Sequence, residues 1–245
     1  MAHPQLAHRS HAPEIGRRTL VLGSVAIAIV AAVLVVVLAL GSSGSSPAPA
    51  SVTGAQRVEA LLHGIPQQGA ALGSPSAPVT LVEYADLQCP YCGIWARGAL
   101  PDLVDRYVRA GKLRIAFVGM SFLGPDSVKA LRATLAAGRQ NHLWNVLELL
   151  YENQGSENTG WVSDSLLRGI GSAVPGLDAE RMLADASSPA VSRVLARADA
   201  AAGEAGVNAT PTFALAPMGK NLRIVQPTSL TAAGLEPQIE AALKR

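Results

Sequence analysis

Cysteine is almost absent from this chain. Only Cys89 and Cys92 occur in 245 residues, which leaves no material for a disulfide framework or for a zinc site built from four cysteines. Histidine does not make up the deficit. His3, His8 and His11 lie ahead of an apolar span, while His63 and His142 stand alone. Charge is missing in two senses. Three of the 20 Lys and Arg and one of the 18 Asp and Glu precede residue 41, so the remainder carries seventeen of each sign. Nothing there resembles the basic surface that nucleic acid selects. From Leu20 to Leu40, LVLGSVAIAIVAAVLVVVLAL, there is no charged residue at all. No internal repeat is visible either, which tells against repeat architectures.

The uncharged stretch is informative. As a helix its 21 residues reach about 31 Å, which matches a hydrocarbon core of about 30 Å. Arg17 and Arg18 immediately before it predict a cytoplasmic amino terminus, with the rest of the chain outside. A cleaved signal peptide has the same basic-then-apolar order, and a cut near Ala39-Leu40-Gly41 is its form here. Signal h-regions run about 7–15 residues, so the length favours an uncleaved signal anchor. No cysteine stands at the end of the span, which excludes lipid attachment there. The predicted organisation is a tail over 1–19, a transmembrane anchor over 20–40, a flexible linker over 41–56 and one domain over 57–245. The linker, opening GSSGSSPAPASVTGA, is too polar to pack.

Within the domain, Arg57–Leu62 reads as a short helix and Ala70–Gly73 as an edge strand. Val79–Tyr84 is an apolar run suited to a buried central strand. A helix is predicted from Pro90 to about Ala110, with Ile94, Trp95, Leu100, Leu103, Val104 and Tyr107 as its apolar stripe. Pro101 should kink or restart it. Leu113–Val118 then reads as a parallel strand, giving a βαβ unit around the cysteines. Residues about 125–206 carry helical periodicity. Strand character returns at Thr212–Leu215 and Leu222–Val225, and a helix over about Leu235–Lys244 ends the chain.

Cys89-Pro90-Tyr91-Cys92 follows the first strand directly and carries the chemistry. Pro90 suits a first helical position, where a missing N–H costs nothing. The unpaired N–H groups and dipole of that turn favour a thiolate at Cys89. Cys92, one turn on, is expected to be more buried and to resolve a mixed disulfide. A bridge across two residues closes too small a loop to staple distant structure, so the pair points to dithiol/disulfide exchange. Late in the sequence, Gly206–Phe213 (GVNATPTF) puts Pro211 at the entry to a strand, an unusual place. A cis Thr210–Pro211 bond would expose the Thr210 backbone to an extended peptide.

Together, Glu83–Cys92 (EYADLQCPYC), Leu143-Trp144 with Glu152-Asn153-Gln154, and GVNATPTF resemble the DsbA-type thioredoxin-like oxidoreductases, in particular their membrane-anchored Gram-positive forms. The resemblance implies an α/β thioredoxin-like fold (βαβ … ββα) with a helical insertion between the halves. It implies that Cys89 attacks, Cys92 resolves, Pro211 is the cis-proline and Glu83 is an acid beneath the site, with Asp86 an alternative. Pro90, Tyr91 and Thr210 would meet substrate, and Trp95 would help to shape an apolar groove. Tyr91 stands where the best-known members have histidine, which removes a cation beside Cys89. The implied function is a thiol oxidase outside the cell membrane, needing no cofactor, acting on reduced exported proteins and reoxidised by a DsbB- or VKOR-like membrane partner. A disulfide isomerase or reductase using the same site, or a tethered redox-sensing peptide-binding module, is the alternative.

Overall fold

The computed structural model describes residues 48–244. The predicted tail, the predicted span and the linker up to residue 47 lie outside them. Among the described residues no helix is long and apolar enough to cross a membrane.

Six strands, β1 (Gln67–Gln68), β2 (Ala71–Leu72), β3 (Val79–Asp86), β4 (Leu113–Met120), β5 (Thr212–Pro217) and β6 (Arg223–Val225), form one mixed sheet in the order β1-β2-β4-β3-β5-β6. β3 pairs in parallel with β4 on one side and antiparallel with β5 on the other. Every residue of β3 except Thr80 is buried, the burial that a near-continuous apolar run anticipates. Its crossover to β4 is helix α2 (Pro90–Leu103), as a parallel pair requires. The expected edge strand at Ala70–Gly73 is β2, but it is internal. It pairs with β4 and with β1, and β1 forms the edge.

Pro101 does not end α2. The helix runs through it and changes three residues later into a π-helical turn over Val104–Val108, where Arg109 N–H donates to the Val104 carbonyl at 2.9 Å. The insertion comprises α3 (Pro125–Gly138), α4 (Leu143–Glu152), α5 (Asp164–Ala173), α6 (Ala179–Asp185) and α7 (Pro189–Glu204). Local chemistry sets the starts of three of them. Ser163, Asp178 and Ser188 accept N–H bonds from Leu166, Arg181 and Val191, each satisfying a donor the helix cannot. The chain closes with β5, β6 and α8 (Glu236–Leu243).

Strand alternation sorts the sheet's two faces. Leu81, Ala85, Ile115, Phe117 and Phe213 pack with Trp95, Leu131, Trp144 and Leu147 of α2, α3 and α4. Val82, Tyr84, Met120 and Ala214 pack with Ala202 of α7. Ile94, expected in the stripe of α2, is instead exposed.

The expected linker stops short of residue 56. Helix α1 already begins at Ala55 (Ala55–Leu62), and the residues before it lie along the insertion. Ala50 N–H donates to the Ser165 carbonyl at 2.9 Å. Thr53 donates its N–H and hydroxyl to Asn153 Oδ1, and Asn153 Nδ2 donates back to the Thr53 carbonyl. The contact is close enough to need a glycine, since a Cβ on Gly169 would lie 2.1 Å from the Ala50 carbonyl oxygen. Gly169→Ala should therefore cost about 1–3 kcal/mol and expose residues 48–53 to limited proteolysis, while leaving the thiol chemistry at Cys89 unchanged.

Candidate active site

The carboxyl ends of β3 and β4 and the amino end of β5 meet at one edge of the sheet, with Asp86 opposite Met120 and Tyr84 opposite Thr212. Leu87 and Gln88 lead from β3 to Cys89, which is the N-cap of α2, and Pro90 takes the first helical position. The Thr210–Pro211 bond is cis, and the Cys89 Sγ lies 3.3 Å from the Thr210 carbonyl. Both cysteines are buried, and their sulfurs are not bonded to one another in this structure. Cys89, Cys92, Thr210 and Pro211 thus converge on one point.

The two sulfurs occupy opposed environments. Hydrogen bonding from the Cys92 thiol, aided by the Thr210 side chain and the backbone N–H groups of Cys92 and Tyr91, outweighs desolvation at Cys89 and brings its pKa from 9.0 down to about 6. The Thr210 carbonyl alone favours the protonated sulfur; the larger set of donors wins. Burial drives the Cys92 pKa upward instead, reinforced by its bond to Cys89 and by the charges of Cys89 and Glu83. One turn of helix therefore separates an anion from a neutral thiol.

Glu83 is not a surface residue. It is 1% exposed, sits between Phe117 and Phe213 in the sheet, and Trp95 packs against Phe213 at 5.1 Å. Its Oε1 has no hydrogen-bond partner. Burial, and then the charge of Glu148, hold its carboxyl well above the usual range. Asp86, the alternative, is equally buried but committed elsewhere. Its Oδ1 accepts from Gln88 N–H at 2.9 Å and from the Ser127 hydroxyl at 2.5 Å, and its Oδ2 from Leu123 N–H at 3.2 Å. Asp86 builds the turn, and Glu83 is the acid left free beneath the cysteines.

Pro90 and Tyr91 face solvent, Tyr91 at 60% exposure. Trp95 does not join them: it is fully buried, so the groove expected to include it does not. Ile94 and Phe122 are the other large exposed apolar side chains on α2 and on the loop after β4.

Gln154 and Gln88 entered the sequence reading only as part of the resemblance, with no role assigned, and Glu148 did not enter it. Gln154 Nε2 donates to the carbonyls of Leu87 and Cys89 at 2.9 and 3.1 Å, and Gly93 leaves room for it, since a Cβ there would meet Gln154 Oε1 at 2.5 Å. Buried Gln88 reaches Ser127 and Asn158. Glu148 is buried too. Helical spacing from Trp144 through Leu147 to Tyr151 places position 148 on the apolar stripe, a signal that was present. The Gln154 and Gln88 contacts join segments far apart in sequence and leave no such trace.

Against known proteins, the thioredoxin family's sequence model matches residues 66–220. The chain belongs to the thioredoxin family. Within it the arrangement is DsbA-like. The crystal structure of oxidised BdbD from Bacillus subtilis superposes with a TM-score of 0.64 at 22% identity, over 74% of this chain and 98% of that one. Pseudomonas aeruginosa DsbA2 gives 0.57 at 22% identity, over 74% and 95%. At these identities the likeness is one of fold. The Bacillus cereus protein named "Probable disulfide bond formation protein D" is 32% identical over 121 residues, 48% of this chain and 56% of that protein. The chain spans about half the length of the curated relatives it matches.

A titration of the reduced protein checks the site's electrostatics. Thiolate absorbance should rise with a midpoint near pH 6, and Cys92→Ala should move that midpoint toward an ordinary thiol by removing the largest stabilising bond. Because the folded pKa lies below the unfolded one, the associated stability is complete above the unfolded pKa and is lost as pH falls through about 6. Thermal melts of reduced wild type should therefore decline across that window more steeply than those of Cys89→Ser.

Proposed function

We propose that this protein is an extracytoplasmic thiol:disulfide oxidoreductase working as a thiol oxidase on exported proteins. The observation that carries the reading is the asymmetry of the two sulfurs at the head of α2: Cys89 favours the anion and Cys92 the thiol. A substrate thiolate attacks Cys89 Sγ of the oxidised pair. The Cys89–Cys92 bond breaks, a substrate–Cys89 disulfide forms, and the electron pair leaves on Cys92, which takes a proton from Glu83. A second substrate thiolate then displaces Cys89 as a thiolate. The substrate has lost two electrons, and the pair has gained them.

Direction follows from where the anion is stabilised. A disulfide carries no charge, so stabilising the Cys89 thiolate favours the reduced state and makes the disulfide more oxidising. At pH 7 the sulfur is about one unit above its pKa, which contributes about 1.4 kcal/mol, or about 30 mV for this two-electron couple. The names of the Bacillus relatives, as disulfide bond formation proteins, support the same direction. Tyr91, Ile94 and Phe122 give an apolar surface suited to unfolded substrates, and the Thr210 backbone gives them an edge to pair with. The 20–40 segment anchors the domain in the cell membrane, where a DsbB- or VKOR-like partner withdraws the electrons.

Equilibration of the full chain with glutathione tests the assignment. An oxidase should be fully reduced by millimolar glutathione and should oxidise reduced ribonuclease, with Cys89→Ser inactive and Cys92→Ala accumulating mixed disulfides. A reduced protein that rescues scrambled ribonuclease but does not oxidise the reduced enzyme would assign it as an isomerase, because rearrangement starts from a free thiolate.

A further inference from the structure

Glu83 is not the only acid buried behind the cysteines. Glu148, in the middle of α4, is likewise 1% exposed, and α4 packs directly on α1 and α2. One turn along the same face, the Tyr151 hydroxyl donates to the Asp86 carbonyl at 3.3 Å, which fixes that face of α4 against the end of β3. Two buried carboxyl groups therefore lie behind the cysteines, one of them with an unpartnered oxygen. Like charges so placed cannot both ionise at ordinary pH.

The groups around Glu148 differ from those around Glu83. Cys92, Phe117 and Phe213 enclose Glu83, and no cation is among the groups that shift its proton affinity. Glu148 is influenced by Arg57 of α1 and Arg97 of α2. These oppose the dominant effect of burial, and its pKa is held at about 8. Arg97 donates to the Tyr151 carbonyl, and Arg57, which is half exposed, pairs with Glu152. Of the two buried carboxyls, Glu148 is the one influenced by cations, and Glu83 is the one beside Cys92.

We propose that Glu148 is the proton reservoir for Glu83 and, through it, for Cys92. The inference rests on the thiol–disulfide exchange proposed above. When Cys92 leaves as a thiolate, Glu83 gives it a proton and becomes a carboxylate in an apolar enclosure. Glu148 returns a proton to Glu83 and keeps the negative charge itself, beside Arg57 and Arg97. Reoxidation runs the transfer backward. Glu148 touches no substrate; it is a positioning residue acting through Glu83.

The test is the pH dependence of the rate at which dithiothreitol reduces the oxidised full-length protein. Wild type should show an inflection near pH 8, above which reduction slows relative to the supply of attacking thiolate. Glu148→Gln should lose that inflection, while its Cys89 thiolate still titrates near 6. Arg57→Gln, at a half-exposed site, should shift the inflection to higher pH because a cation that favours the carboxylate is gone. A merely structural role for Glu148 would change thermal stability and leave the profile alone. An exchange-active wild type whose profile survives Glu148→Gln, or does not move in Arg57→Gln, overturns the proposal by itself. A wild type inert to dithiothreitol overturns the functional reading and this proposal together.

Discussion

The whole arrangement depends on hydrogen-bond donors gathered at the sulfur of Cys89. Cys89 is the N-cap residue of α2, and the groups that favour its anion include the Cys92 thiol and the backbone N–H groups of Tyr91 and Cys92. The same turn of helix buries Cys92 completely. A helical rise of about 1.5 Å per residue thus takes the chain from a site that stabilises negative charge to one that rejects it. Redox function on a two-thiol unit needs that difference more than it needs either absolute value.

Everything nearby serves to hold the turn at the edge of the sheet. β3 is buried and paired on both sides, so its end is fixed. Asp86 folds back on Gln88 and binds Ser127 and Leu123, tying the exit of β3 to the start of α3. From the far side of the sheet's edge, the cis bond before Pro211 brings the Thr210 carbonyl to the sulfur. Three segments separated by up to 121 residues therefore define one reactive atom.

Much of this was legible in the sequence because it is local. Val79–Tyr84 declares its burial by composition, and Cys89-Pro90 declares a helix start. Long-range partners left no such mark. That Glu83 is enclosed by Phe117 and Phe213 depends on strand register, and a glutamate at a strand end reads the same whether covered or exposed. Trp95 keeps its place in the apolar stripe but not in the groove, and Ile94 leaves the stripe for a related reason: helical spacing fixes which residues share a face, but not where the covered face ends. β2 was read as an edge because the two glutamines that form β1 carry no strand signature. The length of the linker was overestimated because Ala50 and Thr53 are held by backbone and amide contacts rather than by apolar burial.

Two neighbouring residues at the end of α4 grip different things. Asn153 clasps the incoming chain at Thr53, and Gln154 clasps the carbonyls on either side of Gln88. The point where the polypeptide enters the domain and the loop that presents the reactive sulfur are thus riveted to the same few ångströms of helix. A mechanical load arriving along the amino-terminal segment would be borne first by this rivet and not by the hydrogen-bonded ladder of the sheet.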